Sequence, residues 1–226
     1  MSKRHLKNIN APKSWPIQRK KKYWIIRTNP GPHSFKESMP LGVIFNDLLG
    51  YTRTTREIKR VLLQGVITVN GKVRKDHKFP VGIFDIIEFP EDEAYRLLYD
   101  LKGRFFLKKE DKNERKVILF KIKNKTILKE GKIQLNLGNG ENILTDKKDI
   151  KPGDTITISD NKVKDILSFD KGVYIYLVKG KRIGTSGRVE NVAKEKIKFS
   201  EGKEKYETLK KYAFVIGKDK PLINIK

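Results

Sequence analysis

The sequence predicts an α+β, multi-module fold: an extended basic arm, a small α/β domain, then two small β-barrel-like modules in series. Three observations lead there. Residues 50–73 read as a short cationic helix feeding a tight hairpin, residues 104–226 read as short β runs between turn signals, and residues 1–40 hold five prolines with no sustained apolar period. The expected boundaries are 1–40 for the arm, 41–90 for the α/β domain, 91–172 for a central β module and 173–226 for a last β module with a basic end. A chain of 226 residues is long enough for more than one domain, each of them small.

In the arm, Pro12, Pro16, Pro30, Pro32 and Pro40 fix φ and remove ladder donors, and no apolar repeat offers a core. Trp15, Tyr23 and Trp24 interleave with Lys13, Arg19, Lys20, Lys21 and Lys22. Such an arrangement lets rings stack on bases or tuck under a neighbouring domain, while the cations meet phosphate.

The α/β domain begins with a predicted helix over 41–49. Thr54 then caps a second helix, with Glu57 three residues on to bond back. On a 3.6-residue period Ile58, Val61 and Leu62 share one side, and Arg53, Arg56, Lys59 and Arg60 the other. The helix ends near Gly65. A strand over 66–69 runs into Asn70-Gly71, the pair a type I′ turn asks for, and Lys72, Arg74 and Lys75 leave it. Residues 84–89 supply a closing strand.

The central module shows strand patterns at 116–123, 126–128, 132–137, 141–144, 155–159 and 163–169, with turns expected at Asn124-Lys125, Glu130-Gly131, Asn139-Gly140 and Pro152-Gly153. Its lysines alternate with apolar residues, as solvated positions of a half-buried sheet do. The last module opens with an alternating strand that meets Gly180, Gly184 and Gly187, allowing a tight reversal before a new strand at Arg188. Lys179, Lys181, Arg182 and Arg188 gather there and suit phosphate contact.

The formal net charge is +24, and the excess lies at the ends: +9 over 1–40, +3 over 41–90, +4 over 91–172 and +8 over 173–226. A polyanion is the expected partner. Cysteine is absent, which excludes a disulfide framework. No run approaches 18 apolar residues and no apolar signal core begins the chain, so a soluble, intracellular protein without a membrane partner is expected. His5, His33 and His77 are scattered, and no metal site is expected. Glu91, Asp92 and Glu93 read as a solvated boundary, and neither a Walker-type loop nor a Gly-x-Ser-x-Gly elbow occurs. The sequence therefore predicts no active site, cofactor or small-molecule substrate.

The Gly-Val-x-x-Val-Asn-Gly-Lys run at 65–72, with the preceding helix and Asp76, resembles the small RNA-binding domain first named for ribosomal protein S-four. Residues 172–189 resemble the KOW motif, although Arg182 and Thr185 stand where its members commonly have Asn and Arg. In series, the chain is similar to the archaeal and eukaryotic S-four-e family of the small ribosomal subunit. The supporting runs include Arg4-His5-Leu6-Lys7, Asn10-Ala11-Pro12-Lys13 with Trp15, Gly31-Pro32-His33, Lys102-Gly103-Arg104-Phe105 and Phe214-Val215-Ile216-Gly217-Lys218. The resemblance implies a structural, non-enzymatic constituent of cytoplasmic ribosomes, bound to 16S-type ribosomal RNA beside other small-subunit proteins. It adds Arg4, His5 and Lys7 to the expected RNA-binding set. Two other readings stay open: a subunit of an RNA-modifying enzyme, and a KOW-type transcription or translation factor.

Overall fold

The computed structural model describes residues 5–90, 93–112, 114–128, 132–147, 149–159, 162–202 and 204–225. Arg4, Glu91, Asp92 and the expected turn at Glu130-Gly131 lie outside them. The fold is mostly β with few helices. Contacts divide the chain into two compact units, one holding residues up to Leu98 with Arg104–Asp111, the other Tyr99–Gly103 with the chain from Lys112 onward.

In the first unit, β1 (Leu6–Lys7) pairs antiparallel with β2 (Trp24–Ile25), so residues 6–25 fold back on themselves. The expected extended arm is corrected here, and the reason is local. The ladder is short, and side chains close the rest of the segment. Asn8 Nδ2 donates to the carbonyls of Gln18 and Arg19, and the Arg19 guanidinium donates to those of Ile9, Ala11 and Pro12 at 3.2, 2.9 and 2.9 Å. The Trp15 side chain is buried, its Nε1 donating to the Ser38 carbonyl at 2.9 Å.

Next, β3 (Ser38–Pro40) pairs with β6 (Pro80–Gly82). The helix expected over 41–49 forms as α1 (Leu41–Val43) followed by a wider turn over Ile44–Leu48, in which the Leu49 amide reaches back five residues to the Ile44 carbonyl. The second helix, α2 (Thr55–Leu63), buries Ile58 and Leu62. A five-stranded sheet follows, ordered β5 (Lys72–Val73), β4 (Thr68–Val69), β7 (Ile86–Glu88), β8 (Ala94–Tyr99) and β9 (Phe105–Lys109). Beneath it lies a fully buried ion pair: Arg96 Nε donates to Glu110 Oε1 at 3.0 Å, Nη2 to Oε2 at 3.4 Å and Nη1 to the Phe84 carbonyl at 3.4 Å.

The second unit holds two five-stranded antiparallel sheets. One is ordered β12 (Asn142–Thr145), β11 (Ile133–Leu137), β10 (Ile118–Ile127), β13 (Thr155–Ser159) and β14 (Lys162–Leu167). The other is ordered β18 (Glu204–Leu209), β17 (Lys196–Glu201), β16 (Ser186–Val192), β15 (Tyr174–Leu177) and β19 (Ala213–Gly217). Phe120, Ile122, Ile133, Leu135, Leu137, Ile150 and Ile156 form the core of the first, and Ile175, Val189, Ile197, Phe199 and Val215 lie in that of the second. The turn expected at Asn124-Lys125 does not form. The strand runs through it, and a register shift between Ile122 and Asn124 absorbs the irregularity as a bulge. Tyr176 ties the Tyr99–Gly103 segment into this unit, since its buried hydroxyl donates to the Tyr99 carbonyl at 2.8 Å and accepts from the Tyr99 amide at 3.0 Å. Burial pushes that phenol up.

Candidate nucleic-acid interface

The capping box forms as its spacing implies: Glu57 N donates to Thr54 Oγ1 at 3.3 Å, and Glu57 Oε2 accepts from the amides of Arg53 at 2.9 Å and Thr54 at 3.4 Å. The Arg53 amide, then Thr54, hold the Glu57 carboxyl below its ordinary value. The buried stripe then fixes the helix's rotation, so Arg53, Arg56, Lys59 and Arg60 all face solvent. At the helix end Gly65 has φ +73°, and a Cβ there would lie 3.6 Å from Val73 Cγ1 and 3.7 Å from Lys75 Cε. The turn that ends α2 therefore lies beside the chain leaving the hairpin. Lys72 and Lys75 are exposed, while Arg74 lies half-buried with its guanidinium 4.3 Å over the Phe79 ring. His77 beside them is held below its ordinary pKa mainly by burial, which the Asp76 charge opposes and the Lys59 and Lys78 charges reinforce.

A network the sequence did not single out holds the hairpin tip. Asn70 and Gly71 take φ +52° and +72°, as a type I′ turn requires. The Asn70 side chain donates to Asp85 Oδ1 at 2.7 Å and accepts from the Ile86 amide at 2.9 Å. Asp85, 2% exposed, accepts the Gly82 amide on Oδ2 at 2.7 Å and sits 2.8 Å from His33 Nε2. Burial alone would raise the Asp85 carboxyl, but the His33 charge and these hydrogen bonds outweigh it and hold the carboxyl low. The His33 ring lies on Gly82, where a Cβ would come within 2.4 Å of it. Sequence offered one signal for this: Asn at a turn position, read only as a turn former.

The amino-terminal candidates separate into three kinds. Lys7, Lys13, Lys20, Lys21 and Lys22 are exposed, Lys22 with Asp47 3.9 Å away. His5 is exposed too, its ring 5.5 Å from that of Trp24. Arg19 and Trp15 are taken up by the fold, as described above, and so leave the RNA-facing set. The cause is the same need of backbone carbonyls for donors, three of them around Arg19 and one, that of Ser38, at Trp15.

In the second unit, Lys179, Lys181 and Arg182 are exposed around the glycine loop, with the Arg182 guanidinium 3.3 Å over the Tyr206 ring. Gly184 allows the loop to close on the chain: a Cβ there would come within 2.4 Å of the Asp100 carbonyl oxygen, and its φ is +84°. Arg188 spends its Nε on the Gly172 carbonyl at 2.9 Å and keeps Nη2 3.5 Å from Asp219. Lys125 and Lys121 depart from the solvated role expected of the β-module lysines. Lys125 donates to the Ile150 carbonyl at 3.1 Å. Lys121 is half-buried, donates to the carbonyls of Ala213 at 2.5 Å and Lys211 at 3.2 Å, and is pushed down to about 8 by burial, then by Lys210 and Lys179. Among the described residues no group of three or more His, Asp or Glu could hold a metal ion, and no helix is long and apolar enough to cross a membrane.

Comparison with known proteins gives a consistent result. The ribosomal family S4e matches residues 91–165, and the RS4NT (NUC023) domain matches residues 2–36. The chain is 38% identical over 233 residues to the small ribosomal subunit protein eS4 of Methanosphaera stadtmanae, covering 99% of this chain and 96% of that one. It is 40% identical over 233 residues to the protein of the same name from Archaeoglobus fulgidus, covering 98% and 97%. The crystal structure of the 30S ribosomal protein S4e from Thermoplasma acidophilum matches with a TM-score of 0.73 at 31% identity, over 83% of this chain and 99% of that chain.

Proposed function

This chain belongs to the ribosomal S4e family, and from that premise we propose that it is a structural constituent of the small ribosomal subunit that binds and stabilises 16S-type ribosomal RNA. The observation that carries the reading is the near end-to-end match to relatives named small ribosomal subunit protein eS4. The geometry supports it. Arg53, Arg56, Lys59 and Arg60 on the helix, with Lys72 and Lys75 at the hairpin, are all exposed and suited to neutralising phosphates where RNA strands converge. Lys13, Lys20, Lys21 and Lys22 offer a second surface, and Lys179, Lys181 and Arg182 a third, on the loop we read as KOW-type.

Phosphate contacts of this kind position a protein without reading sequence, which suits a component that recognises RNA shape. The role is structural, not enzymatic, within cytoplasmic ribosomes and beside other small-subunit proteins. Sucrose-gradient fractionation tests it: the protein should remain at one copy per small subunit after a high-salt wash. Its release by that wash from otherwise intact subunits would instead identify a transient factor.

A further inference from the structure

The two tryptophans of this chain have opposite fates. Trp15 is 1% exposed with its indole N–H bonded, whereas Trp24 is 53% exposed and the adjacent Tyr23 63% exposed. Trp24 does not stand alone. Its ring centroid lies 5.5 Å from that of His5 and 4.8 Å from that of Tyr23, the latter edge-on at 86°. Lys7 Nζ lies 5.3 Å from the centroid of the Tyr23 ring. The backbone beneath is fixed, since Lys7 pairs with Trp24 and Leu6 with Ile25. A Trp and a Tyr side chain left in water forgo the stabilisation that burial gives the rings elsewhere in the fold, and a cluster of them marks a surface that something covers.

We infer that the His5–Tyr23–Trp24 cluster is a stacking platform for an unpaired nucleobase of RNA. Charge decides the occupant. Lys7 in β1 and Lys20, Lys21 and Lys22 shortly before β2 are all exposed, and the Asp47 carboxylate lies 3.9 Å from Lys22. Aromatic faces interleaved with cations are the pattern that single-stranded nucleic acid fits, because rings meet bases while cations follow the backbone. The paired strands hold the indole in place before binding, so little ordering cost remains when a base arrives. A base inside a duplex is already stacked and has no face to offer. The inference rests on the proposed RNA-binding role and specifies what one of its surfaces takes.

Because Trp15 and Trp24 are the only two tryptophans, emission isolates the site. The difference between the full-length protein and its Trp24→Phe variant gives the Trp24 signal without disturbing the buried Trp15. Single-stranded oligouridylate should quench that signal, a duplex of equal length should leave it unchanged, and Trp24→Ala should weaken the oligouridylate by about 5- to 100-fold, with Trp24→Phe recovering part of the loss. Circular dichroism matching the parent shows that each variant is folded. Equal quenching by the duplex would overturn the platform, as would tight binding of a small-subunit rRNA transcript with Trp24 emission unaltered, which would leave the face to a protein neighbour. Failure of the transcript to bind at all would overturn the RNA-binding reading itself together with the platform.

Discussion

Replacing Glu110 by Gln should destabilise the first unit by about 3–5 kcal/mol, because it leaves a guanidinium buried without its counter-charge. The structure sets that magnitude. Arg96 and Glu110 are both 0% exposed, joined by two parallel N–H···O contacts at 3.0 and 3.4 Å, with the third guanidinium nitrogen 3.4 Å from the Phe84 carbonyl. Both side chains are withdrawn from solvent, so the lost charge is felt at low dielectric. Replacing both partners, Arg96→Met with Glu110→Leu, removes the two desolvation costs together and should return stability to within about 1 kcal/mol of the parent. Both tryptophans lie in the first unit, so their emission during urea unfolding follows that unit alone, while far-ultraviolet circular dichroism reports the whole chain. A loss below about 1 kcal/mol in Glu110→Gln would refute the reasoning. So would a double variant as unstable as the single, since the site would then be sensitive to shape and not to charge.

Lys121→Met should flatten the alkaline stability profile of the second unit. With a folded pKa of about 8 against 10.5 unfolded, the folded state releases the proton first, so stability rises with pH between those values, by about 3 kcal/mol for this group alone; equal slopes in parent and variant would exclude it. Asp85→Asn should remove part of the acid sensitivity of the first unit. The Asp85 carboxyl is held below its ordinary value, so its contribution is present above about pH 4 and is lost as pH falls through the folded value; acid titrations followed by tryptophan emission should differ between the two chains, and coincident curves would count against the His33–Asp85 pair. Replacing Arg56 and Arg60 together by Glu should weaken rRNA binding and reduce the salt slope by about two, one for each phosphate that is no longer neutralised. Unchanged affinity and slope in a filter-binding titration would remove α2 from the interface.

Where a feature depended on neighbours in sequence, it was legible. The capping box needs residues three apart, and both of its hydrogen bonds are made. Asn70-Gly71 carries its own backbone preference, and the strand over 155–159 has the bounds its alternation gave. Asn124-Lys125 misled because an Asn that suits a turn is also tolerated within a strand, and here the strand runs on through a register shift between Ile122 and Asn124. Arg19 and Arg188 read as free cations, since nothing in a linear pattern says which carbonyls will lack donors nearby.

What the sequence determined by itself is a charge of +24, a helix with one apolar and one cationic side, and a tight basic hairpin. These follow from composition and from periods of two and 3.6 residues, which local physics reads directly. The tertiary structure alone decided which of equivalent residues remain available. Trp15 and Trp24 are the same residue nine positions apart, yet the Ser38 carbonyl, 23 residues from Trp15, draws one inside while the strand pairing of Lys7 with Trp24 leaves the other in solvent. Burial and carbonyl satisfaction are set by contacts distant in sequence, and those exist only once the chain has folded.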